Sequence, residues 1–124
     1  MFTFVLVADA NAKPGCKTRA CKVRVQLKRE RAELRRYKRH PMPRCTWWGE
    51  SGAGLPEWSL RRYRARNPVS TAGGKYQILD STWRAFGGPD YPGSHDASRA
   101  RPVLQERIAR RVLRGQGLGD WVLC

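Results

Sequence analysis

The spacing of apolar residues predicts a basic helix in the first third of the chain. Residues 22–39 are highly charged, and their apolar positions form a narrow helical stripe of Val23, Leu27, Leu34 and Tyr37. His40-Pro41 ends this pattern, because the residue before a proline avoids the helical conformation. We interpret the helix as a solvated spacer. The functional alternative is a cationic arm that holds the chain near a polyanion.

A second and more strongly amphipathic pattern covers residues 102–114. The apolar stripe consists of Leu104, Ile108 and Val112, widened by Ala109 and Leu113. Pro102 suits the first turn of a helix, and Gly115 suits its end. Glu106 can pair with Arg110 one turn further on. The pattern therefore predicts a helix with a buried apolar stripe and a charged face that needs no function.

Two shorter helices are predicted between these segments. The paired tryptophans of residues 45–51 predict a short buried helix that ends at Gly52. Asp80 is placed to cap a helix over residues 81–86, which Gly87-Gly88 would end. A glycine turn at residues 73–74 separates the two and allows close approach of a ligand to the backbone.

The composition shifts near Pro41-Met42-Pro43. Residues 1–44 hold 13 Lys or Arg and three acids, a net charge of +10, whereas residues 45–124 have a net charge of +5 and all five Trp. We therefore predict a basic N-terminal arm over 1–44 and one globular domain over 45–124. A length of 124 residues excludes a two-domain nucleotide-binding enzyme. No apolar run approaches the roughly 20 residues of a membrane-spanning helix.

The short apolar run at residues 2–8 is followed by the small residues 10–12, a pattern typical of a signal-peptide cleavage site. No positive charge precedes the run, so an ordinary strand or disordered start is favoured. A clipped signal peptide, left by a start codon assigned too far downstream, is the alternative.

The cysteines allow two chemistries. Cys16, Cys21, His40 and Cys45 are all zinc-ligand residue types, but their spacing matches no common zinc finger. Disulfides in an oxidising compartment are favoured over a metal site. With Cys124 as the fourth cysteine, three pairings are open from the residues alone. No metal and no cofactor is predicted.

Glu50 is the candidate catalytic acid. Its predicted place is the C-terminal end of a short helix beside aromatic surface, where desolvation and the helix dipole both favour the neutral carboxyl. A general acid needs such a proton near neutral pH. Taken alone, the residue is more simply interpreted as a surface glutamate.

Several short motifs, in order, resemble those of lysozyme-like transglycosylases. Glu50-Ser51-Gly52, Ala72-x-Gly74-x-x-Gln77-Ile78 and Thr82-Trp83 are similar to the E-S and A-x-G-L-M-Q-I signatures of that superfamily. The stretch 74–88 and the ending 112–124 are more specifically similar to the resuscitation-promoting factor branch. Each motif is weak alone, but their order over residues 45–124 makes the combination strong. The arm has no such match.

The resemblance implies a small, mainly α domain (α+β lysozyme-like) with a substrate cleft, acting on peptidoglycan. It implies that Glu50 is the catalytic acid and that a disulfide joins Cys45 to Cys124. The predicted substrate contacts are Ser51, Tyr76, Gln77, Thr82 and Trp83. Tyr76 and Gln77 offer the ring face and polar groups that a sugar needs, and the alternative is a glycine turn with Tyr76 in the core. For Trp83, a place in the core is favoured over a substrate contact.

Two features depart from the family pattern. Cys45 lies five residues before Glu50, whereas the family usually has its cysteine beside the glutamate. Residues 55–66 also lengthen the segment that follows Glu50. These differences affect the expected edge of the cleft and the disulfide geometry, but not the assignment of the glutamate.

The predicted function is a peptidoglycan-cleaving glycosidase or lytic transglycosylase acting on the β-1,4 bond between MurNAc and GlcNAc. Glu50 would protonate the leaving oxygen. A second carboxylate has no motif behind it, and the candidates are Glu57, Asp80, Asp90 and Asp96. A single-acid mechanism, in which the 6-hydroxyl of the substrate closes an anhydro ring, is therefore favoured over retaining hydrolysis.

The predicted partners are peptidoglycan glycan strands and, through the basic arm, anionic cell-wall polymers. We expect a secreted or cell-wall-associated protein, with a phage-encoded lysin as the other origin. A non-catalytic wall-binding module is the first rival class, and a nucleic-acid-binding protein is the second. The second is disfavoured because the aromatic residues lie in the domain and the charge lies in the arm, so no base-stacking surface forms.

Overall fold

A computed structural model describes residues 15–52 and 54–124, and within them the protein is mainly helical, as predicted. The α-helices are α1 (Arg19–Arg39), α2 (Leu60–Tyr63), α3 (Asp80–Ala85) and α4 (Pro102–Gln116), and short 3-10 turns lie at Arg44–Thr46, Gly88–Asp90 and Ala97–Arg99. Extended pairing in these residues is limited to isolated antiparallel bridges, in which Gly73 pairs with Arg66 and Ile78. This architecture is consistent with a mainly α, lysozyme-like domain. The signal-like start falls outside the described residues.

None of the helices in the described part of the chain is long and apolar enough to cross a membrane. The longest, α1, has 21 residues, but charged side chains occupy most of its surface. Its N-terminus is capped by Thr18, whose Oγ1 accepts a hydrogen bond from the Cys21 N–H at 3.1 Å. Val23 and Leu27 in its first half are exposed, as a solvated helix requires.

The second half of α1 packs against α4, so the interpretation of α1 as a solvated spacer is wrong there. Tyr37 is buried in the same apolar core as Met42, and Leu34 packs against that core. The physical reason is that the narrow apolar stripe of α1 is completed by residues of α4. The division into an arm over 1–44 and a domain over 45–124 stays a prediction, but the two segments share one core.

The helix α4 is the centre of that core. Its apolar stripe is buried as predicted and includes Val103, Leu104, Ile108, Ala109 and Val112. The predicted end at Gly115 is wrong, because α4 continues to Gln116 and is capped by Gly117 at a φ of 69°. Gly115 lies inside the helix, where a larger side chain would collide with the ring of Phe86.

The short helix predicted over 45–51 is replaced by a 3-10 turn and a following turn that runs to Glu50. The carbonyl oxygens of Trp47 and Trp48 accept hydrogen bonds from the buried side chain of Arg62. These hydrogen bonds join the turn to Arg62, which lies in α2.

The predicted capping role of Asp80 is also wrong. α3 begins at Asp80 itself, with Leu79 at the cap position and no capping side chain from that residue. The Oγ1 atom of Thr71, on the preceding loop, accepts the Asp80 N–H at 3.2 Å and takes over this function. The end of α3 agrees with the prediction, since Gly87 follows with a φ of 86°.

Candidate active site

Glu50 lies at the end of the turn that follows Arg44–Thr46, and its side chain is half-buried. Burial raises the pKa of its carboxyl above the ordinary value. Within residues 15–52 and 54–124, no hydrogen bond or ion pair reaches this carboxyl. The helix dipole expected from the sequence does not contribute, because no helix ends at Glu50. Desolvation alone therefore favours the protonated form that a general acid requires.

A buried arginine organises the chain on both sides of Glu50. The guanidinium of Arg62 is fully buried and lies 4.8 Å from the ring centre of Trp47. It donates hydrogen bonds of 2.9–3.2 Å to five groups of the surrounding loop: the carbonyl oxygens of Trp47, Trp48, Leu55 and Pro56, and Ser51 Oγ. A buried guanidinium is stable only with such partners. Arg62 is thus a positioning residue for the Glu50 turn.

Ser51, a predicted substrate contact, is buried next to Glu50. Its hydroxyl donates to the Trp47 carbonyl oxygen at 3.2 Å and accepts from Arg62 at 3.1 Å. These bonds give Ser51 a part in the architecture of the turn. Whether it also contacts substrate stays a prediction.

Two disulfides join the four cysteines. The Cys45–Cys124 bond implied by the resemblance is present, and a second bond joins Cys16 to Cys21. No free cysteine is left in the described residues, and no cluster of three potential ligands that could hold a metal occurs there. The zinc alternative, which needed three thiolates, is therefore not the arrangement found.

The C-terminal residues connect the Glu50 turn to the glycine turn. Leu123 packs so closely on Gly49 that a Cβ atom at this glycine would collide with the leucine side chain. Trp121 is buried, and its Nε1–H donates to the Tyr76 carbonyl oxygen at 3.0 Å. Together with the Cys45–Cys124 bond, these contacts fix the position of one turn relative to the other.

Removing the Cys45–Cys124 bond is expected to lower the free energy of unfolding by about 4 kcal/mol, because the bond closes a loop of 79 residues. Denaturant unfolding of a Cys45→Ser, Cys124→Ser variant tests this. The matched variant Cys16→Ser, Cys21→Ser opens a separation of only five residues and should cost about 2 kcal/mol. Equal costs for the two variants would contradict the loop-closure argument.

The glycine turn places Gln77 in an unusual backbone conformation. Its φ is +48°, in the left-handed region that non-glycine residues rarely occupy. The side-chain amide donates to the Gly74 carbonyl oxygen at 2.9 Å, which stabilises this geometry. Gly74 itself has a φ of +77°, and a Cβ there would collide with the side chain of Gln105. Backbone strain of this kind is often found at functional sites.

Two predicted substrate contacts, Gln77 and Thr82, line one small depression. Its volume is about 90 Å³, and its other lining residues are Ile78, Leu79, Val112, Asp120 and Trp121. The structure therefore brings Gln77 and Thr82 together at the surface beside the C-terminal segment.

Tyr76 and Trp83 lie in the core instead. Tyr76 is 1% exposed and Trp83 is 0% exposed. The Tyr76 hydroxyl donates to Glu106, and Trp83 Nε1–H donates to the Ser94 carbonyl oxygen at 2.8 Å. Their polar atoms are thus used within the protein, and a contact of either ring with substrate stays an untested prediction.

Lys75, which the sequence analysis did not single out, lies fully buried among aromatic rings. Its ammonium contacts the rings of Trp47, Trp58, Tyr63 and Tyr76, with the Trp58 ring centre nearest at 3.7 Å. Burial lowers the pKa of Lys75, and the nearby carboxylates of Glu106 and Glu57 oppose this effect. The sequence does mark Lys75 as unusual, because it occupies the position at which the superfamily signature A-x-G-L-M-Q-I has leucine.

Glu106 is the anionic centre of this network and is fully buried. It pairs with Lys75 at 3.0 Å and with Arg110 at 2.7 Å. It also accepts hydrogen bonds from the hydroxyls of Tyr63 at 2.9 Å and Tyr76 at 2.6 Å. The pair with Arg110 is confirmed, but the prediction that Glu106 lies on an outward charged face is wrong, because four donors surround it in the core.

Two of the four candidate second carboxylates are engaged elsewhere. Glu57 pairs with Lys75 at 3.3 Å. Asp96 forms ion pairs with Arg66 and Arg99. Burial raises the pKa of Asp96, but hydrogen bonds from Ser98 and Arg99 outweigh it, so the net shift is downward. Asp80 lies in the first turn of α3, and Asp90 is exposed.

The transglycosylase-like domain family matches residues 59–124, just over half of the chain. The chain belongs to this family. The match includes Tyr76, Gln77, Thr82 and Trp83 but begins nine residues after Glu50, so the assignment of Glu50 depends on its motif and its environment. No solved structure matches the chain at a significant level.

Curated relatives are named as probable transglycosylases. The chain is 41% identical to "Probable transglycosylase SceD" of Staphylococcus epidermidis over 58 residues, which is 47% of this chain and 26% of that protein. It is 38% identical to "Probable transglycosylase SceD 2" of Staphylococcus saprophyticus over 58 residues, 47% of this chain and 23% of that protein. The matched segment thus spans about a quarter of these relatives.

Proposed function

We propose that this chain is a transglycosylase that acts on peptidoglycan, with Glu50 as the general acid. Glu50 would protonate the leaving oxygen of the β-1,4 bond between MurNAc and GlcNAc. The observation that carries the proposal is the environment of Glu50: a half-buried carboxyl with a raised pKa and no partner among the described residues. Membership of the transglycosylase-like family supports the class of reaction.

The contacts of the other carboxylates favour a mechanism with a single acid. Glu57 and Asp96 are held in ion pairs with cations, and no motif places Asp80 or Asp90 opposite Glu50. As Glu50 protonates the leaving oxygen and the bond to the anomeric carbon breaks, the 6-hydroxyl of the substrate would attack that carbon. The carboxylate left on Glu50 would take up the proton of the 6-hydroxyl, which restores the acid. The products are an anhydro sugar and a new GlcNAc end.

The surface beside Glu50 offers a place for a sugar ring. An apolar depression of about 460 Å³ is lined by Arg44, Cys45, Trp48, Gly49 and Leu123. Trp48 is 42% exposed, and the guanidinium of Arg44 lies 5.2 Å from its ring centre. In this proposal, the opposite face of the ring meets the apolar face of a sugar. In this proposal, Gln77 and Thr82 contact a second part of the glycan, across the C-terminal segment.

The location follows from the same chemistry. Two disulfides favour an oxidising compartment, so we propose a secreted or cell-wall-associated protein. The exposed basic residues of α1 would hold it near the anionic polymers of the wall.

The rate of wall cleavage is expected to fall as pH rises through the raised pKa of Glu50. A general acid acts in its protonated form, and burial extends that form to a higher pH than the ordinary value for glutamate of about 4.3. Release of dye from labelled walls, measured as kcat/KM against pH, tests this. A rate that rises with pH across the same range would contradict the role of Glu50 as an acid.

The same assay separates the enzyme from its rival. A non-catalytic wall-binding module would sediment with walls and release no dye above the buffer control. The proposed enzyme releases dye in proportion to time and to its concentration.

A further inference from the structure

A groove of about 560 Å³ lies between α1 and α4, and arginines dominate its lining. Its cationic side chains are Arg29, Arg36 and Arg39 of α1, with Arg101 and Arg107 at and within α4. Its carboxylates are Glu30 and Glu33. The groove exists because α1 packs on α4 and does not extend into solvent as a separate arm.

The two carboxylates are already neutralised. Glu30 accepts a hydrogen bond from Arg101 at 2.7 Å, and Glu33 accepts hydrogen bonds from Nε and Nη2 of Arg107. The glutamate side chains are 14% and 19% exposed, whereas those of Arg101 and Arg107 are 43% and 24% exposed. The charge that these pairs present to solvent is therefore mainly positive.

Three arginines of the groove are available to a ligand. Arg29, Arg36 and Arg39 are exposed, and none forms an ion pair with a residue that the structure describes. At a rise of about 1.5 Å per residue, Arg36 lies about 10 Å along α1 from Arg29, and Arg39 about 5 Å further. Such a row fits successive charges of a linear polyanion better than one isolated phosphate.

The rest of the groove offers little to a nucleic-acid base. Tyr91 is the aromatic residue of its lining, and the others are Ala32, Pro92 and Leu104 beside Gln26. The Tyr91 ring lies against Arg107, and its hydroxyl accepts a hydrogen bond from Arg111 at 2.9 Å. Successive bases would need several free aromatic faces. A phosphodiester chain without bases needs only the arginines.

We propose that this groove binds a linear phosphodiester polymer without bases, through Arg29, Arg36 and Arg39. The proposal rests on the proposed function and deepens it, because it names the surface that holds the protein to the anionic polymers of the wall. Guanidinium groups suit this ligand, since each can donate two hydrogen bonds to one phosphate.

Two triple variants with the same change in net charge test the proposal. Arg29→Gln, Arg36→Gln, Arg39→Gln alters the groove, whereas Arg24→Gln, Arg31→Gln, Arg35→Gln alters another exposed face of α1. Glutamine preserves helix propensity in both. The probe is end-labelled inorganic polyphosphate, a linear phosphate chain without bases that stands in for the phosphodiester polymer. Fluorescence anisotropy gives the affinity at about 0.05–0.3 M salt, where the Debye length falls from about 14 Å to about 6 Å.

The groove variant is expected to bind at least about tenfold more weakly than the other variant at the same salt concentration. Its slope of log K against log salt should fall by about 2 to 3, because each lost phosphate contact removes nearly one released counterion. Equal affinities and equal slopes for the two variants would show that binding depends only on net charge and not on which arginines are changed. This result would contradict the proposed binding site in the groove.

Two further measurements test the class of polymer and separate binding from catalysis. Tighter binding of a single-stranded oligothymidine than of polyphosphate of equal charge, lost in the groove variant, would overturn the class of polymer. Glu50→Gln should bind polyphosphate as tightly as the wild type does. The binding proposal is therefore tested independently of the proposal that Glu50 is the catalytic acid. Circular dichroism checks folding, and the single variant Arg36→Gln, with a smaller expected loss, replaces a triple variant that fails to fold.

Discussion

Glu50→Gln is expected to lower the rate of wall cleavage by at least about two orders of magnitude, the usual scale for a general acid. The amide has nearly the same shape as the carboxyl but no proton to donate. Folding should be unaffected, because the Glu50 carboxyl makes no hydrogen bond or ion pair with the described residues. Dye release from labelled walls gives the rate, and circular dichroism confirms the fold.

Asp90→Asn is the matched control. Asp90 is also a carboxylate of the domain, but it is exposed, and no ion pair joins it to a described residue. This variant should retain nearly the full rate. A near-normal rate for Glu50→Gln, or an equal loss of rate in both variants, would contradict the role of Glu50 as the catalytic acid.

The second large effect concerns stability. Glu106→Gln is expected to lower the free energy of unfolding by about 3–5 kcal/mol, the cost of removing one partner from a buried ion pair. Glutamine can still accept from the hydroxyls of Tyr63 and Tyr76, but it leaves the fully buried Lys75 without its closest counterion. Glu57, at 3.3 Å, is the only remaining carboxylate that pairs with Lys75 in the described residues.

A double-mutant cycle separates this electrostatic cost from the general cost of changing the core. Lys75→Met removes the cation and retains an apolar side chain of similar length. The variant Lys75→Met, Glu106→Gln should therefore be more stable than the sum of the two single losses predicts, by about 1–3 kcal/mol. Denaturant unfolding gives all four free energies. Strict additivity would mean that the pair contributes nothing.

The helices could be predicted where one apolar stripe recurs over several turns. The stripe of α4 predicted both the helix and its buried face, and the stripe of α1 predicted a helix that ends before Pro41. The termini of α3 and α4 could not be predicted from local pattern, because they depend on partners distant in the sequence. Thr71 replaces Asp80 as the cap of α3, and Phe86 explains why Gly115 lies within α4.

The buried charges could not be predicted from local pattern. Arg62 lies in a run of arginines, and nothing in that run distinguishes the one that enters the core. Glu106 occupies a helix position that a sequence assigns to solvent, since the donors that neutralise it come from residues 63, 75 and 76 as well as from its own helix. Only the fold brings these groups together.

For the candidate site, the sequence predicts Glu50 as the acid, a role that stays a proposal, but it does not predict the environment of this residue. Glu50 was expected to be desolvated, and burial does raise its pKa. The expected helix end was absent, and in its place is a turn whose carbonyl oxygens at Trp47 and Trp48 accept hydrogen bonds from Arg62. The aromatic residue that faces solvent beside Glu50 is Trp48, whereas Tyr76 and Trp83 are buried.

The packing of α1 also changes how the basic segment should be tested. Deleting residues 1–44 would remove Tyr37 and Met42 from the apolar core, so a loss of activity could reflect unfolding. Charge-neutralising variants of exposed arginines leave that core intact. They are the suitable test of whether the basic residues bind polymer without contributing to the chemical step.

Mass spectrometry of peptidoglycan digested by the full chain tests the central claim most directly, because it reports cleavage, the bond broken and the product together. We predict fragments that end in anhydro-muramic acid, formed by the wild type and absent with Glu50→Gln. Fragments with reducing muramic acid ends would contradict the single-acid mechanism. An unchanged polymer after incubation with folded wild-type protein would contradict the proposed activity itself.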